Sequence, residues 1–116
     1  MSRIFTMSFA SVYPHYLNKV TRKNRTEAEL RAVIRWLTGF TDKKLQSLIN
    51  REVTFTEFFD QATLNPDAKF ITGSICGIKV QEIEDPLMQK IRFLDKVVDE
   101  LAQGKSVERI TTRSAK

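Results

Sequence analysis

The fold of this chain is decided by residues 85–104, DPLMQKIRFLDKVVDELAQG. Asp85 followed by Pro86 is typical of a helix start, because aspartate caps free N–H groups and proline suits the first helical position. The apolar residues after them recur every three or four positions, the period of one helical face: Leu87, Ile91, Leu94, Val98 and Leu101. Gly104 ends the stretch, which predicts one long helix over 86–103. Its apolar face packs either against the rest of the chain, which we favour, or against a second copy.

The amino-terminal residues predict an extended stretch followed by a helix. Alternation of Phe5, Met7 and Phe9 with polar residues is typical of a short strand or an extended arm over 1–10. A first helix over 12–23 is then predicted by apolar residues at helical spacing: Tyr13, Tyr16, Leu17 and Val20.

Two further helix starts carry capping boxes, in which a threonine and a glutamate three residues later each bond the other's backbone N–H. They are Thr26–Glu29 and Thr54–Glu57. Gly39 ends the first of these helices, and an apolar pattern over 42–50 predicts a short helix between them.

Residues 69–81 lose the helical period and predict a small β-element. Gly73-Ser74 suits the turn of a hairpin, which the amino-terminal arm could join; an irregular loop is the alternative. A short helix near 106–110 and a frayed tail over 111–116 complete the chain. These signals predict one mainly α, compact domain spanning 1–116, with about five helices.

The composition agrees with a small globular protein. The chain has 116 residues, of which 41% are apolar and 28% charged, with four glycines and three prolines, so collagen-like and wholly disordered chains are excluded. One cysteine and one histidine make an internal disulfide and a multi-ligand zinc site implausible, and we expect no metal or cofactor. The sequence has no membrane-length apolar run, and its start has no signal-peptide pattern. We therefore expect a cytoplasmic protein.

Charge is distributed unevenly along the chain. The net charge is +5 overall, but +7 over residues 1–51, −5 over 52–104 and +3 over the last twelve residues. Such asymmetry steers an anionic partner to the first half, or is neutralised within the fold or between copies. Neutralisation is the interpretation that we favour.

The basic segment 19–51 contains a helix–turn–helix-like pattern over 27–50, of the kind that reads DNA. In that motif the groove would be faced by Lys43, Lys44, Gln46, Ser47 and Asn50, with Arg51 on phosphate. Arg35 and Thr38 depart from it, because close helix packing requires a small and an apolar residue there. The nucleic-acid-binding candidates are Lys19, Arg22, Lys23, Arg25, Lys43, Lys44 and Arg51, with Arg31 and Arg35 in the same segment.

Few residues suggest other chemistry. Tyr13, His15 and Tyr16 are candidates for a small-ligand pocket, although packing explains them more simply. His15 and Cys76 would form a catalytic pair only if they were adjacent in space, and an apolar setting such as that of Cys76 favours an inert buried thiol. No catalytic residue is therefore assigned.

Several motifs together resemble a known family. They are Met7-Ser8-Phe9-Ala10-Ser11-Val12-Tyr13-Pro14, Trp36-Leu37-Thr38-Gly39, Cys76-Gly77-Ile78-Lys79-Val80 and Glu82-Ile83-Glu84-Asp85-Pro86-Leu87-Met88-Gln89. With them the chain resembles domain of unknown function 2200, a family of small bacterial proteins, from Ile4 to about Ile110. The resemblance implies a bacterial, cytosolic, single-domain protein and no particular activity or site residue.

Three functions are consistent with these observations. The first is a non-enzymatic binding or interaction protein that uses the basic half or the 86–103 helix, with a protein partner or as a homodimer. The second is a nucleic-acid-binding protein that uses the segment 19–51. The third is a small enzyme centred on Tyr13, His15 and Cys76.

Overall fold

A long central helix organises the part of the chain that the computed structural model describes, residues 6–75 and 77–112. These residues form six α-helices: α1 (Phe9–Thr21), α2 (Glu27–Thr38), α3 (Asp42–Asn50), α4 (Phe55–Gln61), α5 (Pro86–Ala102) and α6 (Val107–Thr111). Two 3-10 helices, Pro66–Phe70 and Val80–Glu82, flank two antiparallel strands, β1 (Ser74–Ile75) and β2 (Ile78–Lys79). The predicted fold class is confirmed, since these elements form one compact, mainly helical globule with a small β-element.

Helix α5 lies at the centre of the molecule. It packs against α1, α2, α4, α6 and β1. Most of its predicted apolar face is buried, with at most 1% of the residue exposed at Ile91, Leu94, Val98 and Leu101, while Leu87 is partly buried. This burial agrees with packing of the face against the rest of the chain, and a homodimer or a protein partner at the 86–103 helix stays a prediction.

Both capping boxes are confirmed. The Thr26 backbone N–H donates to Glu29 Oε1 at 2.9 Å, while the Glu29 N–H donates to the Thr26 hydroxyl at 3.2 Å. The same pair of bonds joins Thr54 and Glu57, at 3.0 and 3.1 Å. The hydrogen bond from the threonine backbone lowers the pKa of each glutamate, because it favours the charged carboxylate.

The first helix begins earlier than predicted, at Phe9 instead of residue 12, because the Ser8 hydroxyl accepts from the Ser11 N–H and caps it. Ser8 lies in an isolated antiparallel bridge with Thr54. The described end of the predicted arm thus pairs with the start of α4 and not with the β-hairpin. The rest of the arm, residues 1–5, and the end of the predicted tail, 113–116, lie outside the described residues.

The hairpin is real, but its predicted turn is wrong. Ser74 pairs with Lys79 and Ile75 with Ile78, so the chain turns between Ile75 and Ile78, where Gly77 has a φ of 80°. Glycine adopts this left-handed conformation without steric cost. Gly73 instead closes the open end of the hairpin, where its carbonyl accepts from the Val80 N–H at 2.9 Å.

An aromatic cluster joins the amino-terminal half of the chain to α4. The Phe58 ring stacks on the Phe9 ring, with centroids 4.1 Å apart, and meets the rings of Phe40 and Phe59 edge-on at 5.1 Å. Phe9, Phe55 and Phe58 are fully buried. The fourth helix is therefore part of the core.

Gly39 ends α2 in the left-handed conformation, with a φ of 75°, as predicted. A Cβ added there would lie 3.0 Å from the Thr63 carbonyl oxygen. We expect Gly39→Ala to lower the free energy of unfolding by about 1–3 kcal/mol, because left-handed backbone is strained for alanine and the contact adds to that strain. Urea denaturation measures this loss.

Gly77→Ala is the matched control for this prediction. Gly77 has nearly the same φ, 80°, but open space where its Cβ would be. Gly77→Ala should therefore lower the free energy of unfolding by less than Gly39→Ala does. Equal losses would mean that the contact with Thr63 contributes nothing.

Candidate binding surfaces around the first helix

The predicted small-ligand residues do not meet around one pocket. The Tyr13 hydroxyl donates to Glu27 Oε2 on α2 at 2.7 Å, whereas the Tyr16 hydroxyl donates to Asp95 Oδ1 on α5 at 2.5 Å. His15 is exposed on a third side of α1. The reason is helical geometry: both tyrosines are turned towards the core, but each hydroxyl reaches a different neighbouring helix.

Tyr13 belongs to a polar cluster that connects α1, α2 and α3. Arg31 Nε donates to the Tyr13 hydroxyl at 3.1 Å, and the other guanidinium nitrogens bind Asp42 at 3.2 Å and Gln46 at 2.5 Å. Burial, helped by Glu27, raises the pKa of Tyr13. Every member of this cluster is held by another, so we assign it a structural role.

The helix–turn–helix hypothesis gains no support from α2 and α3. The carbonyl oxygen of Gln46 accepts from Arg31, and its amide donates to Asn50 Oδ1 at 2.9 Å. These two amides would have to read bases. Arg35 is exposed, so the position that should lie between two closely packed helices faces solvent instead. Thr38 is buried, and its hydroxyl donates to the Ile34 carbonyl at 2.8 Å.

The basic candidates other than Arg25 form two groups by their place in the fold. Lys43, Lys44 and Arg51 lie on and just after α3. Lys19, Arg22 and Lys23 lie on α1 and the turn after it, where Lys19 forms an ion pair with Asp99 at 3.0 Å.

Arg25 is a special case among the nucleic-acid-binding candidates. Its guanidinium Nη2 donates to Glu29 Oε2 at 2.7 Å and to the Lys105 carbonyl at 3.1 Å, and its side chain is 17% exposed. These contacts tie the chain before α6 to the start of α2, and the role of Arg25 in nucleic-acid binding stays a prediction.

A cavity of about 430 Å³ lies along the exposed side of α1 and its carboxyl end. We call it the α1 basic cavity, and its described lining residues are His15, Asn18, Lys19, Arg22 and Lys23. They recur every three or four positions along the helix and the turn after it, so they share one face. None of these five lining side chains is acidic. The arrangement presents donors and positive charge, which suits an anion.

A second cavity, of about 400 Å³, lies between α1, β1 and α5. We call it the α1–α5 cleft, and its described lining residues are Tyr16, Lys19, Ser74, Ile75, Arg92, Asp95 and Asp99. Asp95 accepts from Tyr16 through one oxygen and from Arg92 through the other, at 2.7 Å. Burial and the Asp95 charge raise the pKa of Tyr16 well above its usual value.

Sequence reasoning missed the α5 side of this cleft. Arg92, Asp95 and Asp99 lie at helical spacing on the polar side of α5 and were not among the candidates. The signal that could have found them is charge pairing at three- and four-residue spacing. This spacing does not show that the three side chains face Tyr16, which lies 79 residues before Asp95 in the chain.

The condition for a catalytic pair, that His15 and Cys76 be adjacent, falls outside the described residues, because Cys76 is not among them. Within residues 6–75 and 77–112, no group of three or more histidine, cysteine, aspartate or glutamate side chains is placed to hold a metal ion. No described helix is long and apolar enough to cross a membrane.

The fold and these surfaces define a small, mainly helical single-globule protein built on one buried helix. Residues 3–112 match the family model described as an uncharacterized protein conserved in bacteria (DUF2200), and the chain belongs to that family. The crystal structure of "uncharacterized protein SP1917" is similar, with 43% identity, a TM-score of 0.89 and coverage of 95% of this chain and 92% of that chain. No curated protein matches the chain.

Proposed function

We propose that this protein is a non-enzymatic binding protein that holds an acidic partner against the α1 basic cavity. The observation that carries the proposal is the lining of that cavity by one histidine, one amide and three cations from a single helix and the turn after it. The apolar face of α5 is largely buried, so it offers little surface to a partner. This burial supports the α1 basic cavity as the binding surface.

The charges of Arg22 and Lys23 support an anionic partner. Neither side chain forms an ion pair with a carboxylate of the described residues, and both are exposed. Exposed cations attract an oppositely charged partner within about one Debye length, roughly 8–10 Å at physiological salt. Binding at this cavity should therefore weaken as salt is added.

The surroundings of His15 favour binding over catalysis. A general base must lie within hydrogen-bond reach of the nucleophile that it activates. The described residues that share the cavity with His15 are an amide and three cations, which are not nucleophiles of the kind that a histidine activates.

An acidic protein segment fits this cavity better than a long duplex does. The basic residues of α3 are a separate group, and Arg51 is close enough to Glu57 to contribute to its lowered pKa, so its charge is partly offset. A duplex needs phosphate contacts over an extended surface. The α1 basic cavity offers a compact one.

Charge reversal tests the proposal. We expect Arg22→Glu combined with Lys23→Glu to weaken binding of a fluorescent oligoglutamate peptide about tenfold or more, because two attractions become repulsions. Fluorescence anisotropy at about 20 mM and about 150 mM NaCl measures the affinity and its salt dependence.

The matched control reverses two exposed or half-exposed lysines elsewhere, Lys43→Glu with Lys44→Glu. This variant has the same net charge as the first and should bind the peptide within about twofold of the unmodified chain, since these lysines lie outside the cavity. Equal weakening by both pairs would show a general charge effect and contradict the proposed site. Absence of peptide binding at low salt would contradict the proposed function.

Nucleic-acid binding is the second candidate, and it is favoured by Lys43 and Lys44, which form no ion pair with a described carboxylate. A short mixed-sequence DNA duplex in the same anisotropy assay distinguishes it. If the duplex bound with a steep salt dependence and Lys43→Glu with Lys44→Glu abolished that binding, this candidate would replace the first.

A further inference from the structure

We infer that the α1–α5 cleft is a binding site for a small organic monoanion, a carboxylate attached to a short apolar chain. The site is separate from the proposed acidic-partner surface, with which it shares Lys19 alone among the described lining residues. Three elements build it, because α1, β1 and α5 each contribute polar side chains to one cavity.

The acceptors of the cleft are already in use. Asp95 receives the Tyr16 hydroxyl on one oxygen and Arg92 on the other. Asp99 receives Lys19 at 3.0 Å on one oxygen and the Gln103 amide at 2.6 Å on the other. A ligand that brings hydrogen-bond donors therefore competes with existing partners.

The donors of the cleft are only partly used. Arginine has five N–H donors and lysine three. Among the described residues, Arg92 has its side-chain hydrogen bond to Asp95 and Lys19 its ion pair to Asp99. The Ser74 hydroxyl has no hydrogen-bond partner in the described part of the chain. The unused hydrogen-bonding groups of the cleft are therefore donors, and they favour binding of an anion.

The charge and shape of the cleft narrow the ligand further. Two cations and two carboxylates line it, so the fixed charges balance and a ligand with several negative charges is disfavoured. The half-buried Ile75 and the ring of Tyr16 supply an apolar wall. A volume of about 400 Å³ is within the range of small-molecule sites. A carboxylate directed to Arg92 and Ser74, with its carbon chain on Ile75, satisfies all three observations.

Titration of the ¹⁵N-labelled full chain with hexanoate, followed by NMR, tests the inference. We expect saturable shifts of the amides of β1 and of Arg92, with acetate binding more weakly because it lacks the apolar chain. Hexanamide, which has the same shape without the charge, should cause no saturable shift. Saturation by hexanamide at the same concentration, or no saturable shift with hexanoate, would overturn the inference.

Two variants locate the site. Arg92→Gln should weaken hexanoate binding about tenfold and Ser74→Ala about threefold, since the first removes a charged donor and the second a neutral one. Arg22→Ala with Lys23→Ala should leave it unchanged, because neither residue lines the cleft. Unchanged affinity in Arg92→Gln and Ser74→Ala would overturn the inference.

The two proposals fail separately. Hexanoate shifts at Asn18, Arg22 and Lys23 without shifts at β1 and Arg92 would overturn the cleft as the site and leave the α1 basic cavity as the anion-binding surface. Conversely, hexanoate binding at Arg92 without oligoglutamate binding would contradict the proposed function and support the cleft.

Discussion

Replacing Phe58 by alanine is expected to lower the free energy of unfolding by about 3–5 kcal/mol, because a fully buried ring is lost and the cavity cannot fully collapse. Phe58 is stacked on Phe9 and meets Phe40 and Phe59 edge-on. Its removal therefore affects α1, α4 and the α2–α3 connection together. Domains of this size have roughly 5–15 kcal/mol of stability in total.

Guanidinium chloride denaturation of the purified chain measures this loss. If the alanine variant does not fold, Phe58→Leu provides the measurement, with an expected intermediate loss because leucine retains part of the buried volume. Gln61→Ala is the control, since Gln61 is exposed at the end of the same helix and should change stability by no more than about 0.5 kcal/mol. A loss below about 1 kcal/mol in Phe58→Ala would show that the aromatic cluster is not a central part of the core.

The second large effect is expected at alkaline pH. Both tyrosines of the chain have a raised pKa in the folded protein, caused mainly by burial and by a carboxylate partner. A raised folded pKa contributes stability that is fully present below the unfolded pKa, near 10, and is lost as the pH rises towards the folded value. The protein should therefore lose stability above pH 10, where the unfolded chain releases protons that the folded chain retains.

The variant Tyr16→Phe isolates the contribution of one tyrosine to the loss of stability at alkaline pH. Between about pH 9.5 and 11 the unmodified chain should lose about 1 kcal/mol more stability than the variant, because phenylalanine has no proton to release. Lys19, Arg92, Asp95 and Asp99 line the cleft with Tyr16 and are the same in both proteins, so the comparison changes the tyrosine alone. Free energies of unfolding at a series of pH values measure the difference.

Ultraviolet absorbance of tyrosinate gives an independent check. The folded chain should show no tyrosinate signal near pH 10, whereas the chain in denaturant should titrate there. Half of the full tyrosinate absorbance at pH 10 in the folded protein, as ordinary tyrosines give, would contradict the hydrogen bonds assigned to both hydroxyls. At neutral pH, Tyr16→Phe should also lower the free energy of unfolding by about 1–3 kcal/mol, since Asp95 loses a buried hydrogen-bond donor.

The two surfaces around α1 have different origins in the sequence. The lining of the α1 basic cavity lies within nine consecutive residues, and four of its members were sequence candidates: His15, Lys19, Arg22 and Lys23. The α1–α5 cleft joins residues from three distant segments. Tyr16 was predicted as a ligand residue, but its partners on α5 were not.

Local signals explain why the helix positions could be predicted so well. The hydrogen bonds of Thr26 with Glu29 and of Asp85 with Met88 span three residues. Interactions of that range depend on neighbouring residue types, and they form in the same way wherever the helix lies. The hairpin turn was misplaced because Gly73 and Gly77 carry the same local signal, and only the pairing of Ser74 with Lys79 distinguishes them.

The sequence by itself determined the helices, the helix ends marked by capping boxes and by Gly39, the apolar face of α5 and the family. Only the tertiary structure decided that this face is buried inside the chain, that Arg25 is tied to the Lys105 carbonyl, and that Tyr16 meets Asp95. The physical reason is that caps and helical periodicity act over three or four residues. A polar side chain, in contrast, obtains its partner from whichever helix the packing of the core brings against it, and that packing is a property of the whole chain.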